Sequence, residues 1–109
     1  MEIATRIAGS AAILSVNGRM DAVTAPEFEK ACQALLEQGH ATQVADLAAL
    51  EYISSAGLRS ILSSAKKLKA AGGGLAFCGL TGMVDEVFRV SGFMKMFRVH
   101  PTVDAALEG

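Results

Sequence analysis

The alternation of apolar and polar positions divides the chain into short strands and amphipathic helices. Ile3, Thr5 and Ile7 alternate with Ala4 and Arg6, and Ala12, Leu14 and Val16 alternate with Ile13 and Ser15. Period-two patterning on both sides of Gly9-Ser10 predicts a hairpin of strands over 2–8 and 11–16. Asn17 to Asp21 then reads as a loop. Phe28, Ala31, Cys32, Leu35 and Leu36 share one face at helical spacing, with Thr24 as N-cap, Pro26 in the first turn and Gly39 as the stop. A short apolar strand follows over 41–47, ending in a loop. Leu58, Ile61, Leu62, Ala65 and Leu68 then form the stripe of a helix from about Ala56 to Ala71. Its opposite face carries Arg59, Ser60, Ser63, Ser64 and three lysines.

The remainder repeats the theme. Leu75 to Cys78 reads as a fourth strand. A helix capped by Thr81 runs to about Val90, with Met83, Val84, Val87 and Phe88 turned inward. Met96 to Val99 reads as a fifth strand, and Pro101 opens a last helix bearing Val103, Ala106 and Leu107. Strands alternating with helices after a leading hairpin predict an α/β fold. The expected sheet is mixed, mainly parallel and five-stranded, with about four helices on one or both faces. No repeat or linker divides the 109 residues, so one domain over 1–109 is expected.

Composition narrows the function. A net charge of −1 gives no electrostatic footprint for nucleic acid. No run of about 18 apolar residues exists, and the N-terminus lacks the pattern of a signal peptide, so a cytoplasmic protein without membrane insertion is expected. Cys32 and Cys78 read as small buried hydrophobes in a reducing compartment rather than as a disulfide. His40 and His100 have no partners at metal-ligand or triad spacing, and no serine sits in a nucleophile elbow. Gly72-Gly73-Gly74 precedes a strand with no Lys-Ser or Lys-Thr behind it, so it is a helix stop and not a phosphate loop. Neither an enzyme nor a cofactor or metal site is expected.

The chemistry concentrates at Ser54-Ser55. A serine before a helix caps orphan backbone N–H groups. The same position, at the positive end of the helix dipole, also accommodates an anion. A phosphate there would add about −1.5 to −2 charges without unfolding the domain.

Tyr52-Ile53-Ser54-Ser55-Ala56-Gly57-Leu58-Arg59, between a strand and a helix, resembles the signature of the STAS family, and within it the anti-sigma factor antagonists. Ser91-Gly92-Phe93-Met94-Lys95-Met96-Phe97 is similar to a segment before that family's last strand, and the likeness runs from about Ile3 to Leu107. The resemblance implies a non-enzymatic regulator that binds an anti-sigma factor when unmodified, and so releases a sigma factor. The anti-sigma factor is itself a serine kinase; it would switch the antagonist off by phosphorylating Ser55, and a serine phosphatase would reverse this. The family usually places an acidic residue before this serine; here Ser54 stands there and is a rival acceptor. Asp21 and Asp46 match acidic or polar positions that the family places near the site. Asp21, Tyr52, Ile53, Ser54, Ser55, Ala56, Gly57, Leu58 and Arg59 are the expected partner surface, on a monomer or weak dimer. Phe93, Met94 and Met96 around Lys95 read as core plus a hydrophobic loop, or as a second contact patch. Two other functions fit the resemblance. One is a phosphorylation-independent scaffold subunit of a transport ATPase or signalling complex; the other is a module sensing a nucleotide or lipid.

Overall fold

The computed structural model describes residues 1–108. Five strands form one sheet in the order β1-β2-β3-β4-β5. They are β1 (Glu2–Ala8), β2 (Ala11–Met20), β3 (Thr42–Ile53), β4 (Gly74–Cys78) and β5 (Val99–His100). The first pair is antiparallel and the other three pairs are parallel. The helices are α1 (Ala25–Glu37), α2 (Ser55–Ala70), α3 (Gly82–Ser91), α4 (Phe93–Met96) and α5 (Val103–Glu108).

Successive side chains of a strand point to opposite faces, so the two faces carry separate cores. Ala12, Leu14 and Val16 of β2 join Ala45 and Leu47 of β3 under Phe28 of α1, Ile61 and Leu68 of α2, and Val84 and Phe88 of α3. On the other face Ile13, Val44 and Cys78 meet Ala106 of α5. Helices therefore cover both faces, unequally.

The largest departures from the sequence pattern lie in β2 and β3, which run on through Met20 and Ile53 where loops were expected. The cause is visible in the register. Ser15 faces Asp46 but Asn17 faces Ala49, and Gly18 faces Leu50 but Arg19 faces Tyr52. Each step inserts one extra residue in β3, a bulge that shifts the inward side chains from odd to even numbers and back. Asp46 Oδ1 accepts the Ala48 N–H at 3.1 Å beside the first bulge. Broken alternation reads as a loop, yet the strand continues.

The second departure is the segment 93–97. It forms the single turn α4, and only Val99 and His100 pair as strand. Phe93 and Phe97, four apart, stack edge-on at 5.3 Å; Phe93 also meets Phe88 at 5.3 Å, while Phe97 meets Phe77 at 5.2 Å. With Phe77 and Phe88 at 5.2 Å, four rings close a circle that ties α3 and α4 to β4. An i, i+4 aromatic pair is a helical signal, and it outweighed the strand reading.

Smaller corrections follow from packing. Met83 is exposed. Ser60 and Ser64, expected on the outer face of α2, are buried, and Ser60 Oγ donates to Glu29 Oε2 of α1 at 2.9 Å. The last helix begins at Val103, two residues after Pro101, and Leu107 is exposed. Both cysteines are free and buried. Burial pushes the Cys32 thiol up to about 12 and that of Cys78 up to about 11. In the triple glycine, a Cβ on Gly73 would collide with the Ala41 carbonyl oxygen, so only glycine permits this approach of the chain entering β4 to the start of β3.

Candidate partner-docking face

The site is built where β2 and β3 end together and α2 begins. The Ser54 N–H donates to the Met20 carbonyl at 2.9 Å, joining the two strand ends. Ser54 has extended backbone, and its Oγ accepts the Gly57 N–H at 3.2 Å. Ser54, not Ser55, is thus the N-cap of α2. Ser55 is the first helical residue and is exposed. Among the described residues no hydrogen bond engages its hydroxyl. The two adjacent serines therefore do different things: one holds the helix end and the other is free.

Gly57 explains why the helix can start there. A Cβ on it would lie 2.7 Å from Ile53 Cγ1 and 3.0 Å from the Met20 carbonyl oxygen. Its absence lets the first turn of α2 settle on the strand ends. Ile53 and Gly57 are accordingly buried, and Leu58 is half-buried against the main core. These three residues shape the face from beneath, while Ser55 and Arg59 are its exposed members and Tyr52, Ser54 and Ala56 lie between.

The loop from β2 to α1 forms the neighbouring wall. Asp21 Oδ1 accepts the Val23 N–H at 3.0 Å and the Thr24 N–H at 3.1 Å. The Thr24 hydroxyl accepts the Asp21 N–H at 2.9 Å and donates to the Arg19 carbonyl at 2.8 Å. Thr24 therefore closes this loop and makes no side-chain cap to α1. The hydrogen bond from the Thr24 N–H is the main reason the Asp21 carboxyl sits below the usual carboxylate range. Asp21 is thus an ionised turn-former beside the strand end that holds Ser54.

Two residues of this face carry no signal in the sequence. The Arg19 guanidinium lies over the Tyr52 ring, 4.2 Å from its centroid, because the second bulge sets these residues side by side. Val23 is 84 % exposed at the tip of the loop, an unusual setting for a branched aliphatic side chain. Asp46 is not brought to the face. It faces Ser15, five β2 residues before the Met20–Ile53 pair, about 17 Å of strand at ~3.3 Å per residue. Among the described residues, no three His, Cys, Asp or Glu side chains come together as a metal site. No helix there is long and apolar enough to cross a membrane.

Against known proteins, the STAS domain model matches residues 2–106. The chain belongs to the STAS family. BtrV of Bordetella bronchiseptica, described as a candidate anti-sigma factor antagonist, is 39 % identical over 94 residues, covering 86 % of this chain and 81 % of BtrV. The anti-sigma-F factor antagonist RsfB of Mycobacterium tuberculosis is 28 % identical over 99 residues, covering 90 % of this chain and 80 % of RsfB. Among solved structures, a candidate anti-sigma factor antagonist of Thermotoga maritima superposes with a TM-score of 0.90 at 22 % identity, over 97 % of this chain and 92 % of that one. That likeness is one of fold. This STAS domain thus stands within the anti-sigma factor antagonists, a group of regulators rather than enzymes.

Proposed function

We propose that this STAS protein binds an anti-sigma factor with serine-kinase activity through the face around Ser55, and that phosphorylation of Ser55 ends the interaction. The observation that carries the reading is the division of labour between the serines. Ser54 spends its side chain on the Gly57 N–H, whereas Ser55 stands exposed on the first turn of a 16-residue helix. Modifying Ser54 would sacrifice the cap. Modifying Ser55 leaves the cap intact and sets the phosphate at the positive end of the helix.

Arg59 lies four residues along the same helix face, exposed and without an ion pair to any described carboxylate. A phosphate on Ser55 is within one helical turn of that guanidinium. Phosphorylation therefore has two effects on a docked partner. It places about −1.5 to −2 charges in a contact that must lose water, and it draws a free cation away from the partner. Val23, exposed in the loop after β2, and the Arg19–Tyr52 pair near the two strand ends would supply apolar and cationic contact area for the unmodified state. A serine phosphatase would restore that state, and capture of the anti-sigma factor would release the sigma factor it holds.

The test combines modification and binding. The protein is incubated with the kinase-type anti-sigma factor and ATP, and the peptide containing Ser54 and Ser55 is sequenced by mass spectrometry. In parallel, wild type, Ser55→Ala and Ser55→Asp are compared for capture of the same partner. Phosphate on Ser55, constitutive binding by the alanine variant and weak binding by the aspartate variant are expected. Equal capture of all three, or phosphate found on Ser54 alone, would overturn the assignment.

A further inference from the structure

A groove of about 850 Å³ lies at the other end of α2 from Ser55. It exists because β5 is only two residues long and pairs with Phe77 and Cys78 alone. The first half of β4, from Gly74 to Ala76, is left without an outer neighbour. The groove opens along that bare edge, between the C-terminal half of α2 and α5.

Its walls and mouth differ in character. Leu62, Leu75, Ala76, Phe97 and Ala106 make an apolar lining, and the volume falls within the roughly 300–1,000 Å³ typical of small-molecule sites. Lys66 and Lys69 stand at the rim, both exposed, and neither is paired with a carboxylate among the described residues. Two further lining residues hold polar atoms that have no hydrogen-bond partner among the described residues. They are Oε1 of the fully buried Gln43 and Nε2 of His100. Native proteins leave few such atoms unpaired. Gln43 is otherwise fixed, since its Nε2 donates to the Cys32 carbonyl at 3.0 Å and the His40 carbonyl at 2.9 Å.

We infer that this groove is a binding site for a soluble, single-chain anionic amphiphile, its apolar chain lying along the bare edge of β4 and its acidic head between Lys66 and Lys69. Charge complementarity selects the occupant. Two unpaired ammonium groups at the mouth favour an anion, and the apolar walls give nothing to a fully hydrated one. The site is separate from the docking face: α2 spans about 24 Å at ~1.5 Å per residue, with Ser55 at one end and the groove at the other.

The probe is sodium decanoate below its aggregation concentration, with acetate as the head without the chain and 1-decanol as the chain without the charge. Binding is followed by amide shifts in heteronuclear NMR of the full chain. Decanoate should bind at least about tenfold more tightly than either control, because only it engages both walls and rim. The shifts should centre on Leu62, Lys66, Ala76 and Ala106. Lys66→Gln with Lys69→Gln, changing only exposed side chains, should weaken decanoate about tenfold. Gly74→Phe should abolish binding by filling the groove, since a Cβ at Gly74 meets nothing within 4 Å. Its thermal midpoint confirms the fold. No binding, shifts centred on the first turn of α2, indifference to both variants, or binding only to phosphatidylglycerol vesicles would each overturn the inference.

Discussion

The two serines at the start of α2 can be told apart by stability alone, before any partner is in hand. Ser54→Ala removes the acceptor of the 3.2 Å bond from the Gly57 N–H. Ser55→Ala removes a hydroxyl that makes no hydrogen bond among the described residues. Losing an N-cap serine costs about 0.5–2 kcal/mol, typically about 1. The cap here also borders the Ser54 N–H bond to Met20 at 2.9 Å, so fraying of the first turn loosens the junction of β2 and β3. A cost at or above the typical value is therefore expected. Ser55→Ala should be neutral or slightly stabilising, because alanine is the better helix former by a few tenths of a kcal/mol. In urea, with a slope of roughly 1–3 kcal/mol/M, a 1 kcal/mol loss lowers the midpoint by about 0.3–1 M. In a thermal scan the same loss is about 4 °C for a domain of this size. Equilibrium urea denaturation of the two variants beside wild type is the assay. If Ser55→Ala costs as much as Ser54→Ala, the cap assignment is wrong, and the argument that Ser55 is free for modification fails with it.

Two other perturbations test the packing. Gly57→Ala would drive a methyl against Ile53 Cγ1 at 2.7 Å and the Met20 carbonyl oxygen at 3.0 Å. Overpacking of about 1–3 kcal/mol should exceed the gain of up to about 1 kcal/mol in helix propensity, so a net loss of up to about 2 kcal/mol is predicted in urea unfolding; a variant more stable than wild type by the full propensity gain would contradict the close approach. For the thiols, the ordinary value is 9.0 and the folded values rise to about 12 for Cys32 and about 11 for Cys78. The unfolded chain therefore releases these protons first on raising the pH. Their contribution is complete below pH 9 and is lost as the pH climbs through the folded values. The urea midpoint of wild type should fall more steeply above pH 9 than that of Cys32→Ala with Cys78→Ala, and parallel pH profiles would refute the burial argument.

Much of this protein was legible without coordinates. The hairpin, the α1 and α2 stripes and the alternation of strand with helix follow from periodicity, because burial on one face imposes it directly. The Ser54-Ser55 pair before a helix, together with the Gly-Leu that follows, marked the region where the candidate site lies. What periodicity could not carry was any place where the chain changes phase. The two extra residues in β3 shift its inward side chains twice, and only pairing with β2 reveals them as bulges rather than a loop. Those bulges also place Arg19 against Tyr52. Nor could the sequence decide which serine caps the helix, because either hydroxyl suits the role. The Met20 carbonyl decides it by holding the Ser54 N–H. Val23 is a further case: an apolar residue in a loop has no partner in its own element, and its exposure is set by a turn that Asp21 and Thr24 close around it. Local pattern determined which residues lie inside. Contacts between segments far apart in the chain determined which of the others stand together on one face.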